Sequence, residues 1–265
     1  MSYLVPRILA TLALIILATS AQAALGDRSE EPQRIPLKKN LRMLIRPTLM
    51  GLVPPADPRS YGEMFLRVTD FADNQPTLNF EVKESIPGTS PKDDEATRIR
   101  RGNITVTGLA AANVMLAPMF WPNGDFTTDS GLTWVSRSTF SRLKRHGKAD
   151  WRLDFALEQI PAEFHTLNDL VAQLTPEDTE AGVIELKVDD DEALYPCEVN
   201  GERTQLAALR LSDSLGLAEY WVLNDVENPL MLKMSFIPPE GGFNGDTPLG
   251  LVQAGAGYAV VEIDF

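Results

Sequence analysis

The sequence predicts a mainly β protein, built as a single antiparallel curved sheet or barrel-like domain with about two short helices. Three observations favour this class. Hydrophobic residues alternate with polar ones at the two-residue period of a half-buried strand, turn-forming residues separate these segments, and helical periodicity is confined to two short stretches. With 265 residues, 44% of them hydrophobic, the chain is long enough to bury a substantial core.

The clearest strand patterns lie at residues 77–83 and 148–158, where every second side chain is apolar. This pattern is typical of an antiparallel strand with one face toward water. The residues predicted to face the core are Leu78, Phe80 and Val82 in the first segment, and Trp151, Leu153, Phe155 and Leu157 in the second.

Turn residues predict how these strands connect. Asn200-Gly201 lies between two β-prone segments and favours a tight hairpin, because both residues tolerate the positive φ of a type I′ turn. Residues 224–229 separate two apolar segments and predict a second hairpin. Residues 87–91 predict a loop between neighbouring strands, and residues 258–265 predict a terminal strand.

Two short helices are predicted. The first follows an N-cap at Ser138 and ends at Gly147, with basic residues in its last turn that complement the helix dipole. The second follows an N-cap at Thr166 and ends before Pro176.

Residues 1–23 have the pattern of a signal peptide. A single Arg7 precedes an apolar run at 8–19 that is too short to span a bilayer, and Ala21 and Ala23 form the small-residue site that signal peptidase requires. An uncleaved N-terminal anchor is the alternative. We interpret residues 24–60 as an extended N-terminal arm and residues 61–265 as the antiparallel β domain.

Composition restricts the classes of partner and cofactor. The net charge of −13 disfavours nucleic acid and anionic membrane surfaces, because both would repel the protein. One cysteine and two histidines exclude an intramolecular disulfide and a zinc site built only from these residues. We expect Cys197 to be a small core residue, and we expect no cofactor, no metal and no membrane span after cleavage.

Two acidic motifs suggest chemistry only weakly. Asp129-Ser130-Gly131 is the triplet of the catalytic turn in aspartic proteases, but no apolar strand precedes it and no second triplet follows. A surface turn is therefore favoured. The run 189–192 is purely acidic and offers carboxylates to calcium, but it lacks the alternating ligands and glycine bend of a calcium loop. We expect a solvated loop between strands.

A basic cluster surrounds the first predicted helix and could contact an acidic partner or an anionic lipid, but a solvated helix end is the favoured interpretation. Its residues are Arg137, Arg142, Lys144, Arg145, His146 and Lys148. The two histidines, His146 and His165, leave a spatially assembled catalytic triad open, but no Gly-x-Ser-x-Gly motif supports one.

The most apolar segment of the predicted mature chain, residues 114–121, mixes methionines with aromatics, and such surfaces adapt to varied apolar ligands. Core packing is the favoured interpretation, since any β domain of this size needs such residues. The candidate ligand-binding residues are Met115, Met119, Phe120 and Trp121.

Three segments together resemble exported bacterial β-domain proteins of unknown function. They are Leu132 to Trp151, the hairpin Glu198 to Arg203, and Tyr220 to Lys233. The resemblance implies a curved antiparallel sheet in the cell envelope and brings no catalytic residues with it.

These observations favour a periplasmic or secreted envelope protein that acts as a non-enzymatic binding or structural module for an apolar ligand or a protein partner. No catalytic residue is assigned in this hypothesis. The alternative is a secreted hydrolase that uses Asp129 or a spatially assembled triad.

We predict cleavage after Ala23, because the peptidase pocket accepts only small side chains at Ala21 and Ala23. Intact-mass spectrometry of exported protein should show a chain that begins at Ala24. Exported protein that retains Met1 would instead identify the segment as an anchor.

Overall fold

The computed structural model describes residues 33–48, 63–72, 75–85, 97–116, 121, 123–154, 183–216, 218–237 and 257–265. Within these ranges the chain forms twelve strands of one sheet and one helix, α1. The first six strands are β1 (Arg42–Thr48), β2 (Met64–Ala72), β3 (Gln75–Ser85), β4 (Thr97–Val106), β5 (Val114–Leu116) and β6 (Phe126–Thr128). The other elements are α1 (Arg137–His146), β7 (Lys148–Asp154), β8 (Val183–Val199), β9 (Glu202–Asp213), β10 (Ala218–Leu223), β11 (Met231–Phe236) and β12 (Gly257–Asp264).

Five strands close into a ring in the order β8-β9-β10-β11-β12, because β12 also pairs with β8. On the far side of β12 the sheet continues through β1, β2, β3, β4 and β6, and beyond β8 it continues through β7 and β5. The predicted N-terminal arm, residues 24–60, contains β1, which is hydrogen bonded to both β12 and β2.

The mainly β class is confirmed, but the expectation of a purely antiparallel sheet is wrong. Three pairings are parallel: β12 with β8, β4 with β6, and β5 with β7. Each joins strands that are not connected by a hairpin. Turn signals in a sequence reveal antiparallel hairpins, whereas parallel neighbours need a longer connection that leaves no comparable local signal.

The predicted hairpins are confirmed. Asn200 and Gly201 have φ values of 50° and 80° and join β8 to β9, with Val199 opposite Glu202. The second hairpin joins β10 to β11, and the predicted terminal strand is β12. The predicted loop at 87–91 lies outside the described residues, but β3 and β4 on either side of it are hydrogen-bonded neighbours.

Helix α1 begins two residues earlier than predicted. Its N-cap is Ser136, whose Oγ accepts a hydrogen bond from the backbone N–H of Thr139 at 3.2 Å, and Ser138 lies inside the helix. Trp134 and Val135 are fully buried just before the cap, so the core already fixes the chain at this point. Gly147 ends the helix at φ 71°, as predicted. The second predicted helix lies outside the described residues.

The strand faces agree with the alternation where they are described. Leu78, Phe80 and Val82 of β3 and Trp151 of β7 are buried in one hydrophobic core. The predictions for Leu153, Phe155 and Leu157 fall on side chains outside the described part of the structure.

Asn228 is a buried polar residue that joins three separate segments. Its Oδ1 accepts a hydrogen bond from Trp134 Nε1 at 2.7 Å, and its Nδ2 donates to the Ile35 carbonyl at 2.8 Å. All three residues are fully buried, so water cannot replace either bond. The amide therefore fixes the chain before β1 and the loop before α1 to the β10–β11 loop.

We predict that Asn228→Ala lowers the free energy of unfolding by about 2–4 kcal/mol, because it leaves a buried donor and a buried acceptor unpaired. Asn224→Ala in the same loop is the control. Asn224 donates one exposed hydrogen bond to the Asp191 carbonyl, so its loss should cost less than about 1 kcal/mol. Urea unfolding curves measure both, and equal costs would contradict the role assigned to Asn228.

Candidate functional site

An open groove of about 470 Å³ crosses the exterior face of β12, β1, β2 and β3, and we call it the outer groove. The opposite faces of these strands carry the core residues Ile263, Met43, Leu66 and Phe80, so the floor of the groove is packed against the core. The residues that line it are Arg42, Met43, Leu44, Phe65, Leu66, Arg67, Asn79, Glu81, Lys83, Glu262 and Asp264.

Strand register arranges the exposed side chains of the outer groove in two rows across the sheet. The first row is basic at its centre, where Arg42 of β1 lies opposite Arg67 of β2. Asp264 is opposite Arg42 on β12, and Asn79 is opposite Arg67 on β3. Guanidinium groups on neighbouring strands thus share one end of the groove.

The second row is apolar at its centre and acidic at both ends. Leu44 lies opposite Phe65, with Glu262 beyond Leu44 and Glu81 beyond Phe65. Phe65 is 40% exposed, which is unusual for a phenylalanine on a sheet whose other face supplies the core. The groove therefore offers an apolar contact beside charged groups of both signs.

Contacts outside the two rows hold these side chains in place. Lys83 Nζ lies 5.1 Å from the centre of the Phe65 ring, at cation–π distance. Arg46 Nε and Glu63 Oε1 form an ion pair at 2.9 Å on β1 and just before β2. Arg67 Nη2 donates to Asn40 Oδ1 at 2.7 Å, so the guanidinium is oriented before any ligand binds.

The pKa of Glu262, at one end of the apolar row, is raised above its ordinary value. Partial burial raises the pKa of this carboxyl, and the negative charges of Asp264 and Glu198 raise it further, while Arg46 opposes them. Glu198 is close enough to contribute because it is the register partner of Glu262 across the parallel β8–β12 pair.

A second groove of about 470 Å³ lies where β8 and β12 meet, lined by residues of β8, β9 and β12. Cys197 contributes to it but is buried, as predicted. Burial raises the pKa of the thiol to about 12. Beside it, the Tyr195 hydroxyl donates to the Val260 carbonyl at 2.8 Å.

Of the predicted ligand-binding residues, Trp121 is the one whose side chain the structure describes, and it lines neither groove. Trp121 is fully buried, and its ring meets Phe80 edge-on with centroids 5.6 Å apart. Its carbonyl accepts a hydrogen bond from Arg100. Met115 belongs to β5, with a side chain outside the described part, and Met119 and Phe120 lie outside the described residues.

The prediction of a loop at 189–192 is wrong, whereas the prediction that these acidic residues are exposed agrees with the structure. These residues belong to β8, where two register shifts interrupt the pairing with β9 and leave the carboxylates in solvent. β-Bulges allow a strand to carry such a run, because the extra residues need no partner in the ladder. Asp191 lies 3.8 Å from Lys144, and Asp189 accepts a hydrogen bond from Ser212.

Acidic residues also pair with other members of the basic cluster around α1. Lys148 meets Glu185 at 2.7 Å, and Arg137 meets Glu227 at 3.2 Å. These contacts reduce the positive charge that the cluster offers to a partner. His146 is exposed at the end of α1, and His165 lies outside the described residues.

Asp129 is exposed in a turn after β6. Its neighbours Thr128 and Ser130 bond to each other through their hydroxyls at 2.9 Å. Across the described ranges, no three side chains of His, Cys, Asp and Glu lie close enough together to hold a metal ion.

Sequence reasoning missed the outer groove. The signal that marks it is alternation inside the predicted arm, where Arg42, Leu44 and Arg46 share one face, and the same alternation in Phe65 and Arg67. Such alternation identifies an exposed face but not its neighbours. Only the pairing of β1 with β12 and β2 combines these residues into one site.

No family model, curated protein or solved structure matches this chain. In the described part of the chain, no helix has both the length and the apolar character needed to cross a bilayer.

We predict that Cys197 in the folded protein reacts with a thiol-specific disulfide reagent at pH 8 on the order of a thousandfold more slowly than in the unfolded chain, because the raised pKa leaves little thiolate. The kinetics should show one phase, since the chain has one cysteine.

The same shift gives a pH dependence of stability. The folded-state pKa lies above the unfolded-state value of about 8.5. The contribution of this thiol to the free energy of unfolding is therefore complete below that pH and is lost as the pH rises toward about 12.

For the reaction with the disulfide reagent, a folded-state rate within tenfold of the unfolded rate would show that Cys197 is accessible.

Proposed function

We propose that this protein is an exported, non-enzymatic binding module that holds an extended segment of a protein partner in the outer groove. The observation that carries the proposal is the composition of the groove, in which an exposed Phe65 and a half-buried Leu44 lie between charged residues of both signs. Protein surfaces combine these same groups, and aromatic and arginine side chains are enriched where proteins bind each other.

The shape of the groove favours an extended segment over a small apolar ligand. It is open to solvent and is lined by four strands, so it does not enclose a compact molecule. Pockets for apolar ligands are concave and lined mostly by hydrophobic side chains. Here Trp121, the member of the predicted ligand-binding set whose side chain the structure describes, packs in the core.

Export is part of the proposal and is supported by residues 1–23. Arg7, the short apolar run and the Ala21-x-Ala23 site have the order that signal peptidase substrates share. In the periplasm or outside the cell, the partner would be an envelope or secreted protein.

A displayed library of random linear peptides provides the test, with the mature protein as bait. Peptides that bind the outer groove should lose at least tenfold in affinity when Phe65→Ser removes the exposed ring. Leu194→Ser is the matched control, because Leu194 is 60% exposed on β8 and is not part of the groove. Thermal melting of each variant confirms that it is folded.

The expected result is a set of peptides sensitive to Phe65→Ser and indifferent to Leu194→Ser. Selected peptides that bind both variants as tightly as the wild type would place the binding surface elsewhere. A selection that enriches no peptide would also contradict the proposal.

A further inference from the structure

Two arginines lie directly opposite each other in the outer groove, on neighbouring strands and on the same exposed face. Like charges in this position are destabilising, since side chains opposite each other have Cβ atoms about 5 Å apart. An anion between Arg42 and Arg67 would turn the repulsion into attraction.

We propose that Arg42 and Arg67 bind a carboxylate of the partner, and that an apolar side chain two residues away in the same segment contacts Leu44 and Phe65. The outer groove thus recognises an acidic residue and an apolar residue separated by one intervening residue. This inference rests on the proposed function, because it specifies the partner at that same groove.

The donors of both arginines remain available. Among the described residues, no carboxylate lies within ion-pair distance of the Arg42 guanidinium, although Asp264 is its register partner. Arg67 uses Nη2 in the bond to Asn40, which leaves other N–H groups of the planar guanidinium to donate. Arginine binds carboxylates through two parallel hydrogen bonds, so each guanidinium has the geometry that the ligand requires.

Row spacing sets the peptide pattern. Arg42 and Leu44 are two residues apart on β1, as are Arg67 and Phe65 on β2, so the rows lie about 6.6 Å apart. An extended peptide parallel to the strands places its own i and i+2 side chains at the same spacing. One side chain over the arginine row therefore puts its second neighbour over the apolar row.

The acids of the outer groove select against more highly charged anions. Asp264, Glu262 and Glu81 line the same groove and would repel a phosphate dianion or a surface of anionic lipid more strongly than a single carboxylate. The net charge of −13 adds to this repulsion at long range. A peptide carboxylate is the anion that best matches a groove with acids beside its arginines.

The test uses synthetic peptides with blocked ends and the ¹⁵N-labelled mature protein. The reference peptide is Thr-Thr-Glu-Thr-Leu-Thr-Thr, with three variants: Gln in place of Glu, Ser in place of Leu, and Glu directly before Leu. Affinities come from nuclear magnetic resonance titrations, in which the arginine Nε–H signals report contact with the guanidinium groups. We expect the reference peptide to bind at least tenfold more tightly than each variant peptide.

Protein variants assign this preference to the arginine pair. Arg42→Gln and Arg67→Gln should each weaken the reference peptide about tenfold and leave the Gln peptide unchanged. Arg203→Gln is the control, because Arg203 is an exposed arginine of the second groove. Arg42→Gln should not lower the melting temperature of the free protein, since it removes a repulsion. Arg67→Gln also loses the exposed hydrogen bond to Asn40, and its melting curve confirms that it is folded.

Equal binding of the Glu and Gln peptides, or binding unaffected by Arg42→Gln, would overturn the carboxylate site. If the peptides selected from the displayed library still lost affinity on Phe65→Ser, the proposed function would stand without the carboxylate site. Inorganic phosphate that displaces the reference peptide at equal concentration would show a general anion site and would also overturn the inference. If no peptide depends on Phe65, the groove is not a binding site and both proposals fall.

Discussion

Strand β12 is the element on which the rest of the fold depends, because eight residues at the end of the chain pair with three other strands. One edge of β12 bonds to β1 along its whole length. The other edge pairs first with β11 and then, in the parallel direction, with β8. The ring and the outer groove therefore share a single strand.

Where β12 changes from one partner strand to the next, its backbone groups need hydrogen-bond partners from side chains. Between the β11 and β8 pairings, the Tyr195 hydroxyl donates to the Val260 carbonyl and satisfies a buried acceptor. At the start of β12, Gly257 lies so close to its neighbours that a Cβ there would collide with Thr48 Oγ1 and lie 2.9 Å from the Met234 carbonyl. A larger residue at 257 would push β1 or β11 away.

Local features of the fold were predictable from the sequence, and distant pairings were not. Asn200-Gly201, Gly147 and the alternation at Leu78, Phe80 and Val82 each act within a few residues, so propensity and turn chemistry identify them. The closure of β12 on β8 is a parallel pairing between segments about sixty residues apart, which no local pattern encodes. The N-cap at Ser136 was missed because the burial of Trp134 and Val135, and not the serine itself, sets where α1 begins.

The outer groove also combines local features that the sequence predicts with distant pairings that it does not. Its charges are visible in the sequence as ordinary exposed positions of amphipathic strands, and each one alone fits a solvated face. The register places Arg42 opposite Arg67, and Leu44 opposite Phe65, although the two strands are separated by a segment outside the described residues. Because β1 is held by β12, and β12 by the ring, the spacing of these rows is set by the core and not by the groove itself. Because the rows are fixed in this way, a partner of the proposed kind would lose little free energy to ordering the protein.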